Sequence, residues 1–202
     1  MGGLGIQTMN GRYMNLKMNL ELPENKNLQL EKAYAQNIEI KPSDDVLINE
    51  STDPESLGKI NSIYFDCSTG KIMINIQWYY KPKDTKISQI INACSKKEIF
   101  SSDHTMDVEI ETINGKVKVY SLNQILTMKE NSEDIYFSRA RWDDGERTLE
   151  PSLNQWKTDC ICNAIINPDI PFKYCRDCER VLHLQCLDGL GSHQCPGCGQ
   201  DL

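Results

Sequence analysis

Eight residues able to ligate a soft metal ion follow one another near the end of the chain: Cys160, Cys162, Cys175, Cys178, His183, Cys186, Cys195 and Cys198. Seven of the chain's nine cysteines lie in this ladder. Thiolate and imidazole are the ligands that tetrahedral structural zinc prefers, and closely spaced pairs are how a chain offers them. Eight ligands make two four-ligand sites with no coordination position left for water, which points to two structural Zn2+ ions and away from metal catalysis. A disulfide framework is disfavoured, because a histidine interrupts the ladder and no stretch resembles a secretory signal.

Spacing narrows the class. One residue separates the first pair and twelve follow; two separate the second pair and four follow; then come His-x-x-Cys, eight residues and Cys-x-x-Cys. This order, with histidine as fifth ligand, resembles a PHD finger. The resemblance implies a cross-brace: Cys160, Cys162, His183 and Cys186 around one ion, Cys175, Cys178, Cys195 and Cys198 around the other. A segment this short buries too little apolar area to fold alone, so metal binding would supply its folding free energy. Parts of the ladder also resemble RING-type fingers of ubiquitin ligases, with Ile161 and Pro196 at apolar contact positions, and a ligase component is the alternative function. Against it, RING fingers place histidine fourth, and Gly199 stands where many carry a basic residue.

The remainder of the chain offers no other chemistry. There is no phosphate loop, dinucleotide fingerprint, serine elbow or Cys–His arrangement outside the ladder, so a non-enzymatic protein is expected. The formal charge is −7 over 202 residues, and seven thiolates with two divalent ions would bring it to about −10. Without a cluster of five or more Lys and Arg, sequence-specific DNA binding is not expected. Acidity serves solubility, or attracts basic peptides such as histone tails. No stretch approaches the roughly 18 apolar residues of a membrane span, and Ile6 stands where a myristoylation pattern after Gly2 wants Ser or Thr. A reducing compartment, cytoplasm or nucleus, follows.

The elements that must carry these residues are mostly strands. Residues 1–32, with Met9, Met14 and Met18 among polar stretches, read as an N-terminal arm, either docking or disordered alone. Beyond it, Ile38 and Ile40 alternate, Lys41–Asp44 turns the chain, and Val46–Ile48 is extended. Ile60–Phe65 and Lys71–Tyr80 flank a turn at Ser68-Thr69-Gly70. In the second, Ile72, Ile74, Ile76, Trp78 and Tyr80 share one face, while Asn75 and Gln77 share the other. Asn114-Gly115 predicts a hairpin between Val108–Ile113 and Lys116–Leu122, and Asp144-Gly145 another after Tyr136–Trp142. Ile87–Cys94 reads as a short helix, and Cys67 and Cys94 as small apolar fillers.

Several phrases in this region resemble the bromo-adjacent homology (BAH) domain. They are Ile40–Leu47, Gln77-Trp78-Tyr79-Tyr80-Lys81-Pro82-Lys83-Asp84-Thr85, Lys97–His104, Ile113–Val119 and Tyr136–Arg139. The resemblance implies a mainly β chain, a distorted BAH-type barrel over 33–155 followed by the finger over 156–202. A BAH domain running into a PHD finger resembles plant chromatin proteins that read the histone H3 tail. It implies a nuclear reader or adaptor whose partners are H3, with lysine methylated or not, and other subunits of a chromatin complex. Trp78 and Tyr80 would belong to an aromatic box for a methylated ammonium, with Asp103 and Asp107 as anionic neighbours. Alternatively they continue the isoleucine face into the core. Ser56 stands where a third aromatic belongs; in the finger, Ile166 and Val181 stand where tail readers carry aromatics. Phe172 and Tyr174 remain, His193 replaces another packed aromatic, and Asp169 and Asp177 would meet basic groups of a tail added as a strand. Docking is favoured over methyl reading for the finger.

Overall fold

The computed structural model describes residues 27–49, 55–91, 93–128, 132–191 and 194–202, together with the backbone of 6–7 and 13–14. The rest of the N-terminal arm up to residue 26, and His193, lie outside the described residues. Strands β1 (Ile6–Gln7) and β2 (Tyr13–Met14) pair antiparallel. There follow β3 (Leu28–Leu30), β4 (Ala33–Ala35), β5 (Ile38–Ile40), β6 (Asp45–Ile48), β7 (Ser56–Asp66) and β8 (Lys71–Tyr80). Then come helix α1 (Ser88–Ile91), β9 (Phe100–Glu109), β10 (Ile113–Ser121) and helix α2 (Leu122–Thr127). The chain continues through β11 (Ile135–Ser138), β12 (Arg141–Asp143) and β13 (Thr148–Glu150). It ends with β14 (Phe172–Tyr174), β15 (Val181–His183) and helix α3 (Leu184–Leu190).

One sheet dominates, in the order β11-β10-β6-β7-β8-β9-β12-β13. Strand β3, from the segment read as the arm, pairs with the second half of β7, while β6 pairs with the first half. The sheet curls until Phe137 of β11 bridges Glu98, just ahead of β9. Ile99 N donates to the Phe137 carbonyl at 2.9 Å and Phe137 N to that of Lys97 at 3.1 Å, so the β11 end of the sheet closes onto the segment that leads into β9.

The alternation in β8 explains which side is filled. Ile74, Ile76 and Trp78 join Val46, Ile48, Ile60 and Ile63 in one apolar cluster, capped by Ala33, Ala35 and Ile40 of the β4–β5 hairpin. On the opposite face Leu57, Ile99 and Val117 form a smaller one, joined by Tyr79 and Tyr136. Gly58 sits in the ladder between Val46 and Trp78, where an added Cβ would lie 2.1 Å from Ile76 Cγ2 and 3.0 Å from Ile48 Cδ1. Gly58→Ala should therefore destabilise by overpacking, by about 1–3 kcal/mol, read from the urea midpoint; an unchanged midpoint would refute this close approach.

Two expectations need correction. Asn114-Gly115 makes no hairpin: both residues lie within β10, which pairs with β6 and shifts register between Ile113 and Gly115. The turn between β9 and β10 is instead a 3-10 helix at Ile110–Thr112. Cys67 is exposed rather than a core filler, whereas Cys94 is buried and its burial pushes the thiol pKa up. The hairpin at Asp144-Gly145 forms between β12 and β13, but the run before it is split. Strand β11 pairs parallel with β10, and β12 with β9 at the far end of the sheet.

Candidate functional site

The ligand ladder folds around the short hairpin β14–β15 and helix α3. His183 ends β15 and Cys186 lies in the first turn of α3, while Cys175 and Cys178 follow β14 directly. Left-handed backbone at Asn163 (φ 53°), Glu179 (φ 57°) and Gly199 (φ 77°) bends the chain beside three of the Cys pairs. The result is two groups, Cys160, Cys162, His183 and Cys186 in one and Cys175, Cys178, Cys195 and Cys198 in the other, with ligand atoms within 4.8 Å of one another.

These distances suit a tetrahedral ion. Metal–sulfur bonds of about 2.3 Å place two ligand atoms of a tetrahedron about 3.8 Å apart. Cys175 Sγ lies 3.6 Å from Cys198 Sγ, Cys178 Sγ 3.6 Å from Cys195 Sγ, and Cys162 Sγ 3.3 Å from His183 Nδ1. A disulfide would need about 2.05 Å, and all these cysteines are free. His183 thus turns Nδ1 to the thiols, and its Nε2 is buried with no hydrogen-bond partner among the described residues. Burial pushes the Cys195 thiol up, but the N–H groups of Gly197 and Cys198, with the Cys178 and Cys175 thiols, bring it down to about 7; crowding by neighbouring thiols leaves Cys186 pushed up to about 11. Each group could hold one metal ion.

The finger is not a separate bead. Ile166, Val181, Leu182 and Leu187 share a core with Leu122 and Leu126 of α2 and Phe137 of β11. Helix α2 is fixed for this by a capping box: Ser121 Oγ accepts from Gln124 N at 3.3 Å and Gln124 Oε1 accepts from Ser121 N at 2.8 Å. Ile166 and Val181 are fully buried in that shared core, and Phe172 and Tyr174 pack against it. Asp169, expected to meet a basic peptide, instead accepts from Ser95 Oγ at 2.7 Å and Lys96 N at 2.9 Å. Asn167 Nδ2 donates to the Cys94 carbonyl at 3.3 Å. Asp177 is exposed.

The four residues expected in a lysine box do not converge. Trp78 is 7% exposed, packed in the sheet core, with a buried Nε1 that has no partner among the described residues; replacing it would test stability rather than binding. Tyr80 lies on the same face but is half-buried at its end. Its hydroxyl shares a hydrogen bond with His104 Nδ1 at 3.0 Å. Its ring is tilted against those of His104 and Trp142, at centroid distances of 6.3 and 6.5 Å. Burial raises the Tyr80 phenol, and the carboxylates of Asp144 and Asp84 add to this. Asp107 sits across from Asn75 on the other face, accepting from Tyr64 Oη at 2.9 Å and Asn75 Nδ2 at 2.7 Å. Asp103 pairs with the Arg141 guanidinium, Nε at 3.0 Å. Ser56 begins β7 and is partly buried.

What the structure adds is an exposed ridge. Residues 103–107 of β9 are all exposed, and they run past Tyr80 and His104. Asp144 and Asp84 lie near the Tyr80 phenol, while Asp103 and Asp143 share the Arg141 guanidinium. Neither His104 nor Trp142 was singled out for binding from the sequence. A tyrosine at the end of a strand and a histidine in its ladder partner were the signals available.

A family model for the BAH domain matches residues 38–152. Among curated proteins, the chain is 26% identical over 153 residues to the chromatin remodeling protein SHL of Arabidopsis thaliana, over 75% of this chain. It spans 66% of that relative's length, just under two thirds. Among solved structures it resembles the yeast Rsc2 BAH domain at TM-score 0.48 and 19% identity, over 59% of this chain and 52% of that one.

Proposed function

The chain belongs to the BAH-domain family, and from that premise we propose that it is a non-enzymatic nuclear adaptor that reads basic histone tails within a chromatin complex. Its finger is a PHD-type cross-brace holding two structural Zn2+ ions. Four ligands per ion leave no place for a reacting water, and each ion would fix the finger against α2. The observation that carries the reading is the exposed ridge at 103–107 beside the Tyr80–His104 pair, with the carboxylates of Asp144 and Asp84 near the Tyr80 phenol. Aromatic face and carboxylate together suit a lysine ammonium, methylated or not, on the tail of histone H3.

The same geometry divides labour between the modules. In the finger, Ile166 and Val181 are turned into the shared core and Asp169 is held by the sheet domain, which supports docking rather than tail reading. The adaptor role would rest on the finger and on residues 1–32, with partner subunits as their ligands.

Titration of fluorescent H3-tail peptides, unmodified and methylated, tests the ridge. Tyr80→Ala should weaken the best peptide by about 3- to 30-fold without moving the thermal midpoint of the metal-loaded chain by more than a few degrees. Wild-type protein that binds no tail, or a variant that binds equally well, would reject the reader role.

A further inference from the structure

We propose that a groove at the seam between the sheet domain and the finger is a second binding site, one that takes a carboxylate-bearing peptide segment with Arg139 as its anchoring donor. The groove has a volume of about 300 Å³ and is walled by Leu122 and Asn123 of α2, by Arg139 after β11, and by Gln155, Trp156 and Lys157 of the connection to the finger. That is the small end of the range for ligand pockets, enough for a carboxylate and one adjoining side chain.

Three observations converge on an acceptor. First, the Arg139 side chain is only 5% exposed, and two of its nitrogens are committed: Nε and Nη2 donate to Glu98 at 2.6 and 2.8 Å. Its third, Nη1, is buried and has no hydrogen-bond partner among the described residues. An unmet guanidinium N–H is costly to keep, and an Arg donor is best met by a carboxylate oxygen. Since Nε and Nη2 donate to Glu98, Nη1 is the guanidinium nitrogen left without an acceptor in a residue that lines the groove.

Second, the lining offers cations without an acid among them, their partners Glu98 and Asp159 lying outside the walls. The chain carries −7 overall, yet these walls contain two cations and no carboxylate. Lys157 Nζ is itself engaged by the Glu179 carbonyl at 2.7 Å and Asp159 at 2.9 Å, so it adds field at the rim rather than a free donor. Third, the groove has an apolar wall. The Arg139 guanidinium lies 4.6 Å from the Trp156 ring centroid, which holds it rigidly, and Leu122 stands beside it. A peptide ending in an aliphatic residue, or an acidic residue beside one, satisfies all three. Such a ligand is the electrostatic opposite of a histone tail, so this site is independent of the ridge.

The test uses the full, metal-loaded chain and follows the Trp156 indole N–H by NMR. The probes are N-acetyl-Ala-Leu with a free carboxylate, its C-terminal amide, and N-acetyl-Leu-Glu-amide. A saturable shift with either carboxylate probe and none with the neutral amide supports the site; the first probe responding reports a free C terminus, the second an acidic side chain. Asn123→Asp, on an exposed position where a helix start tolerates acid, should weaken binding by about 3- to 10-fold with an unchanged thermal midpoint. Arg139→Lys should abolish it where the variant folds. No saturable shift at about 10 mM of either carboxylate probe, equal binding of the amide, or an Asn123→Asp variant that binds like wild type would overturn the proposal.

Discussion

Stripping the metal with a strong chelator should unfold residues 160–202 as a unit. Binding of structural zinc contributes about 10–16 kcal/mol in isolated finger peptides near neutral pH, more than a core this small supplies. Three-residue strands and a seven-residue helix cannot hold the hairpin and α3 together alone. The loss should spread, because Leu122, Leu126 and Phe137 share their core with Ile166, Val181, Leu182 and Leu187. The chelated chain is therefore expected to expose a hydrophobic face on α2 and β11, bind an apolar dye, and melt at a lower temperature. Cys175→Ser should give the same result without a chelator. Amide exchange is the direct measurement: residues of β14, β15 and α3 lose protection first, those of β7 and β8 last. Protection retained in the finger after complete metal removal would count against this account.

Arg139→Leu is expected to cost about 3–5 kcal/mol at neutral pH, because it leaves the Glu98 carboxylate buried without its counter-charge. Glu98 is fully buried, and the pair lies where β11 closes onto the segment that leads into β9, with Arg139 also stacked on Trp156. Burial raises the Glu98 carboxyl above its ordinary 4.5, and Arg139 opposes this through charge and hydrogen bonds. A carboxyl raised on folding favours the folded state while protonated. That contribution is fully present below the unfolded value of 4.5 and is lost as pH rises through the folded one. Without Arg139 the opposing pull disappears and the folded value climbs further. The deficit of Arg139→Leu should thus shrink as pH falls from about 7.5 to about 5.5, measured by urea unfolding at saturating zinc. Adding Glu98→Gln should remove the pH dependence and recover part of the loss; a deficit that stays flat with pH would contradict a buried, charged Glu98.

Much of this was legible where a local pattern has one physical meaning. The alternation from Ile72 to Tyr80 marked a strand with one apolar face, and β8 has those bounds. The ladder marked metal ligands by residue type, but the pairing into interleaved groups came only through family resemblance, since spacing alone permits others. What failed depends on distant partners. Asn114-Gly115 is a strong turn signal, yet pairing with β6 over Ile113–Val117 keeps it in a strand and absorbs the irregularity as a register shift. The run from Tyr136 to Trp142 looks continuous, but its halves pair with opposite ends of the sheet. Trp78 was placed on the right face, while its depth depends on β6 and the β4–β5 hairpin. Helix α2 was not expected, since Ser121-Leu122 was read as the end of a strand, although Ser121 and Gln124 have the spacing of a capping box. No local signal marked that helix as the seat of the finger, or Asp169 as a contact to Ser95.

Whether the tail is a metal-held finger turns on the two proposed ions, and elemental analysis of reduced, purified protein measures them directly. Two moles of zinc per mole of chain are expected, one for each four-ligand group. Less than about one mole, with the thiols intact and unoxidised, would contradict the account.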